Sequence, residues 1–211
     1  MASAPNWARE MEDILARLDT GGEKPRLLLH ACCGPCSSAV LEKLLARFEV
    51  TILYYNPNIW PAAEHRRRGD ELGRFAAAFA PGVRVVEPPF QPQRFYEAVR
   101  GLEAEPERGG RCAVCYRLRM EEAARYAAEQ GFDWFCTTLS ISPHKDAARI
   151  NAIGQELEKQ YGVRHLPNDF KKKDGYKRSL ELSAQYGLYR QDYCGCEFSA
   201  RRAGANGEGE Q

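Results

Sequence analysis

Short apolar runs of strand length alternate with segments of helical period along most of this chain, and that alternation narrows the folds open to it. "RLLLHA" from Arg26, "EVTILYYN" from Glu49, "VRVVE" from Val83, "DWFCTTL" from Asp133 and "VRHLP" from Val163 read as strands. Between them lie "SSAVLEKLLARF" with Ser37 or Ser38 as its cap, the stretch from Ala62 to Phe79, and "PQRFYEAVRGL". "CAVCYRLRMEEAARYAAEQG", closed by Gly131, and "KDAARINAIGQELEKQYG" complete the helical set. Strands joined by helices imply an α/β fold, a mainly parallel sheet with helices on both faces. Ligands of such sheets bind beyond the carboxyl ends of the strands. The loops "ACCGPC", "NPNIWP" and "SISPHKD" therefore belong to one rim although they are far apart in sequence.

Ahead of the first strand, Trp7, Met11, Ile14, Leu15 and Leu18 follow helical spacing, which predicts an amphipathic helix ending near Gly21 and Gly22. The division expected is a helical extension over 1–24, a single α/β catalytic domain over 25–202, and a Gly-rich disordered tail over 203–211. No run reaches the roughly 18 apolar residues a membrane span needs, and the N-terminus lacks the apolar centre of a signal peptide. A cytoplasmic location is expected. Disulfides are rare there, so the eight cysteines point to metal binding or redox chemistry.

Seven of those cysteines are clustered: Cys32, Cys33 and Cys36, then Cys112 and Cys115, then Cys194 and Cys196. Cys136 alternates with apolar neighbours in a predicted strand and reads as a core thiol. Cys112 and Cys115 stand i, i+3 at a helix start, so both thiols share one face and the helix dipole favours their thiolates. Gly195 lets Cys194 and Cys196 turn toward one target, as metal ligands or as a dithiol. Adjacent cysteines such as Cys32 and Cys33 diverge in regular structure. A multi-iron cluster offers ligation points further apart than one zinc ion does, and suits such a pair better. Zinc, an iron–sulfur cluster and thiol redox chemistry all stay open on spacing alone.

Net charge is +1, so the whole chain does not announce a polyanionic partner, but its charge is uneven. "HRRRGDE", "FKKKDGYKRS" and Arg201–Arg202 are basic, each equally readable as a solvated face. From Arg164 to Arg202 there are nine Lys and Arg against five Asp and Glu, interleaved with Phe170, Tyr176, Tyr186, Tyr189 and Tyr193. Cations with stacking rings suit an RNA strand with splayed bases.

"LLLHACCGPC", "YYNPNI", "RCAVCYRLRMEEAARYAAEQGFDWFCTTLSISPHKD" and "DFKKKDGYKRSLELSAQYGLYRQDYCGCEFS" together resemble the QueH family of epoxyqueuosine reductases, in family order from about Leu27 to Ser199. The resemblance implies a fold of the adenine-nucleotide alpha hydrolase-like group, HUP or Rossmann-like. It also implies removal of the epoxide oxygen of epoxyqueuosine at the tRNA wobble position, the last step of queuosine biosynthesis. That is a two-electron reduction with loss of water, without cobalamin, using a 4Fe–4S cluster and a second, mononuclear iron. Carried residue by residue, it makes Cys32, Cys33, Cys112 and Cys115 the cluster ligands. Cys36 becomes a ligand of a separate second site, since some members carry aspartate there. Cys194 and Cys196 become a redox-active pair or ligands near the second metal. On that reading His30, Tyr55, His144, Asp146 and Asp192 are candidate proton donors to the departing oxygen. Lys171, Lys172, Lys173, Lys177 and Arg178 are expected tRNA backbone contacts, and Asn56 and Asn58 orient the site or form its turn. The partners implied are tRNA with a GUN anticodon and a separate electron donor.

Two rival readings go with this one. A zinc-stapled RNA-binding module would use the same cysteines without catalysis. An ATP-dependent tRNA-thiolating enzyme would need an S-G-G-x-D-S loop where this chain has "ACCGPCSS", with one glycine and no aspartate.

Overall fold

The computed structural model describes residues 5–18 and 21–200. The expected tail over 203–211 and the Arg201–Arg202 pair lie outside them. Helix α1 spans Trp7–Arg17, strand β1 Arg26–His30, α2 Gly34–Leu44 and β2 Glu49–Leu53. Then come α3 at Ala62–Phe79, β3 at Arg84–Val86, α4 at Pro92–Ala98 and α5 at Gly110–Glu129. Strand β4 is Trp134–Thr137, a 3-10 turn covers Thr138–Ile141, α6 is Ala147–Tyr161, β5 Arg164–His165 and α7 Gly175–Gln185.

The five strands form one sheet in the order β3-β2-β1-β4-β5, and every pairing is parallel. Alternate residues of β1 supply its two faces. Leu27 and Leu29 pack with Val40, Leu41, Leu72 and Phe75 from α2 and α3. Leu28 packs on the other face with Met120, Ala123, Ile150 and Leu157 from α5 and α6. Each of these leucines is fully buried, a contribution of about 1.5–3 kcal/mol apiece. Met11 and Leu15 tie α1 into the first of these cores, and the helix ends at Arg17 rather than at the glycines.

Two local departures from the sequence reading matter for the site. Helix α2 begins at Gly34, not after Ser37. Pro35 occupies its first turn, where a missing N–H costs nothing, and Cys33 stands at the N-cap. Ser37 and Ser38 instead donate to the carbonyls of Cys33 and Pro35. The second departure is α7, inside the stretch read only as basic and aromatic. Its entry turn needs Gly175, because a Cβ there would lie 1.8 Å from the Phe170 carbonyl oxygen. Leu182, Ser179 and Ser183 are buried as α7 packs against α2. Arg178 grips Glu42 of α2 with Nη2 at 2.7 Å and Nε at 2.9 Å.

Candidate metal centre

The loop leaving β1 delivers the first three cysteines. The Ala31 amide donates to the Leu53 carbonyl at 3.0 Å, which carries the strand pairing one residue further. Asn56 Nδ2 holds the Ala31 carbonyl at 2.8 Å, so the chain then turns sharply into α2. Cys32 Sγ and Cys33 Sγ lie 3.8 Å apart, and with Cys36 all three sulfurs fall within 4.8 Å of one another. Cys36 sits in the first turn of α2, beside the pair. Bonds from the Cys33 and Cys36 thiols hold Cys32 well below the usual thiol range, helped by Lys145 and Arg119. Cys36 is pushed up to about 12, mainly because it gives its proton toward Cys32. Burial, before any other cause, pushes Cys33 up as well. The trio is a set of converging sulfur donors in which a soft metal replaces protons.

Helix α5 brings the second motif. Gly109 is its N-cap, and the Arg108 amide donates to Cys112 Sγ at 3.2 Å. Cys115, one turn on, is buried against Cys196, Phe95 and Val99, and that burial pushes its thiol up to about 12. The third motif is held in place by backbone. Gly195 has φ 116°, and its carbonyl accepts from the Trp60 amide at 2.8 Å. Tyr193 donates its hydroxyl to the Trp60 carbonyl at 2.6 Å. A Cβ on Gly195 would stand 3.0 Å from Arg68 Nη1, so the C-x-C turn lies flat on α3.

The three motifs meet at one cavity of about 460 Å³ at the carboxyl end of the sheet. Cys32, Cys33, Cys36, Cys112, Cys194 and Cys196 line it. Cys115 is the seventh, packed behind Cys196. Cys136 stays in the sheet, fully buried, with its thiol raised by burial alone.

A family model described as "Epoxyqueuosine reductase QueH" matches residues 27–202. The chain belongs to that family. Among QueH relatives, that of Streptococcus pyogenes serotype M1 is 39% identical over 94% of this chain and 80% of its own length. The relative from Staphylococcus epidermidis is 38% identical over 94% of this chain and 86% of its own. That of Haemophilus influenzae is 41% identical over 89% and 77%. A solved structure described as a predicted subunit of tRNA methyltransferase from Methanocaldococcus jannaschii is similar at a TM-score of 0.46 and 14% identity. It covers 74% of this chain and 75% of that one, a likeness too loose to compare sites.

Within this QueH chain the other expected site residues are divided. Asp192 and His144 line the cavity. His30 does not: it is fully buried, with Nδ1 2.8 Å from the Thr137 hydroxyl and Nε2 3.1 Å from the Tyr55 carbonyl. A carbonyl only accepts, so Nε2 carries the proton and Nδ1 accepts from Thr137. Burial first, then Arg119, holds His30 down at about 4, and both its ring nitrogens are engaged within the protein. Asp146 caps α6 by accepting from the Arg149 amide at 3.1 Å. Tyr55 is buried in the core on the α5 side of the sheet. Lys171 pairs with Asp169, and Arg178 with Glu42 and Glu181. Lys172, Lys173 and Lys177 are exposed and make no ion pair among the described residues.

The sequence reading missed the cations of the cavity. Arg68, Arg111 and Lys145 line it, and Arg119 lies behind Cys115. Arg68, Arg111 and Arg119 are 2%, 1% and 1% exposed. Burial opposes the charge of Lys145, but the thiols of Cys194, Cys32 and Cys36 outweigh it and hold the ammonium above its ordinary value. Cationic surroundings fit a thiolate-held metal cluster, and the donor set fits it too.

Proposed function

We propose that this chain reduces epoxyqueuosine to queuosine in tRNA, as the names of its relatives describe. The observation carrying the proposal is the convergence of all three cysteine motifs on one cavity. Cys32, Cys33, Cys112 and Cys115 would hold a 4Fe–4S cluster, and Cys36, beside that pair, would hold a second iron. Such a centre, when bound, supplies the two electrons one at a time.

The remaining chemistry belongs to the chain itself. Both carbon–oxygen bonds of the epoxide break, a ring alkene forms, and the oxygen leaves as water after taking two protons. Asp192, which lines the cavity, is the proton donor we assign. Tyr116 and Tyr193 wall the cavity with rings and limit the water that reaches it. Lys172, Lys173 and Lys177 hold the tRNA backbone on the α7 side. Cys194 and Cys196 are ligands near the second iron or a dithiol that cycles to a disulfide. Iron content of a variant with both changed to serine separates the two, since only ligands lose metal.

The test is direct. Reduced, iron-loaded protein is incubated anaerobically with tRNA bearing epoxyqueuosine, and the digested nucleosides are weighed by mass spectrometry. Loss of one oxygen, giving queuosine, is expected without cobalamin. No conversion by protein of confirmed iron and sulfide content overturns the assignment. Zinc in place of iron, with RNA binding intact, would replace it with a stapled RNA-binding module.

A further inference from the structure

Arg68, Arg111 and Arg119 each bury a guanidinium beside a cysteine of the C-x-C or C-x-x-C motif. Arg68 Nη1 is set against Gly195, between Cys194 and Cys196. Arg111 directly precedes Cys112, and its Nη1 closes the preceding loop by donating to the carbonyls of Leu102, Glu103 and Glu105. Arg119 donates from Nε to the Cys115 carbonyl at 3.1 Å. Each of the three has a buried Nη2 without a hydrogen-bond partner among the described residues.

Arg119 is the extreme case. Arg68 has Glu64 at 2.7 Å, but Arg119 has no carboxylate partner among the described residues. The groups that act on its charge include the thiols of Cys115, Cys194 and Cys32 and the Tyr116 hydroxyl. A buried guanidinium without a carboxylate partner is strongly unfavourable; Cys32 is held low, but the neutral thiol of Cys115, against which Arg119 packs, does not compensate it. Thiolates would. The arrangement makes sense when the cysteines around it carry negative charge, as they do when they hold metal.

We propose that Arg119 is a positioning residue that balances the charge of the thiolate-held cluster and raises its reduction potential. This rests on the reading of the site as an iron–sulfur centre. A fixed positive charge stabilises the reduced, more negative state of the cluster over the oxidised one. The cluster would then accept an electron more readily than its four thiolates alone allow.

The test uses the full chain with Arg119→Gln, Arg119→Met and Arg119→Lys. Iron and sulfide are counted first, and the cluster is then titrated anaerobically with a redox mediator series read by visible absorbance and electron paramagnetic resonance. Both neutral variants are expected to shift the potential to more negative values at equal cluster content, and Arg119→Lys to recover most of the shift. A neutral variant with a full cluster and an unshifted potential overturns the proposal. Stability of the metal-free protein is measured beside it. Arg119→Met is expected to fold at least as well as wild type without metal, because it removes an uncompensated charge. Metal-free protein that fails to fold in both neutral variants would show that Arg119 only holds the fold, and the proposal would fall. Wild-type protein that takes up no iron and sulfide would instead overturn the cluster reading, and this inference with it.

Discussion

At the scale of single residues, the site depends on a few positions whose substitution separates metal binding from folding. Cys33→Ser and Cys115→Ser are expected to lose visible colour and activity together while circular dichroism stays that of the wild type. Cys136→Ala should keep both, at a cost of about 1 kcal/mol in denaturant unfolding, since its thiol meets only the core. Gly195→Ala would force a side chain into φ 116° against Arg68, a strain of about 1–3 kcal/mol that falls on the C-x-C turn. Activity should fall at least tenfold with little change in tRNA affinity, as measured by single-turnover kinetics and filter binding. The cysteines were legible because their spacings constrain where sulfur can point. The arginines were not. "HRRR" is a charge run in sequence, and only the packing of α3 reveals that Arg68 is buried while Arg66 and Arg67 are exposed. The closeness of Cys36 to Cys32 was hidden for a similar reason: it depends on the helix starting at Gly34.

Elements explain why two basic stretches mean different things. The "KKKDGYKRS" segment is half structural: Arg178 clamps α7 to α2, and Lys171 pairs locally with Asp169. Arg178→Ala is expected to lower stability only slightly in urea unfolding, since the pair is solvent-exposed. Replacing Lys172, Lys173 or Lys177 should leave stability unchanged. Each loss should reduce the salt dependence of tRNA affinity by roughly 0.7–0.9 in the log–log slope. Gly175→Ala should destabilise far more than any of these, because the clash is with the backbone of Phe170. Helix α7 was hidden in the sequence by its charge run and by a glycine that reads as a breaker. The five strands and six of the helices were legible from periodicity because each buries one face.

Across the whole molecule, the parallel sheet gathers at one rim three motifs separated by most of the chain. The alternation of strands and helices made that class of sheet readable, whereas its order β3-β2-β1-β4-β5 is decided by packing. The fold also sets an acid limit. His165 is buried with neither ring nitrogen hydrogen-bonded among the described residues, and burial lowers it to about 3. His65 is lowered to about 4 by burial and then by Arg66. Both are neutral in the folded chain, while the unfolded chain takes up their protons near pH 6.5. Stability is therefore expected to be level above that pH and to fall below it, until pH 4 for His65 and pH 3 for His165. The loss is on the order of 1 kcal/mol per pH unit for each group, measured by urea unfolding of metal-free protein. His165→Phe would flatten part of this slope. The claim on which the rest depends is that the cysteines of the rim build one iron–sulfur centre. Its most direct test is the iron and acid-labile sulfide content of anaerobically reconstituted protein. Roughly four irons and four sulfides per chain, or one iron more, with broad absorption near 400 nm, is expected. One zinc per chain and no sulfide would contradict it.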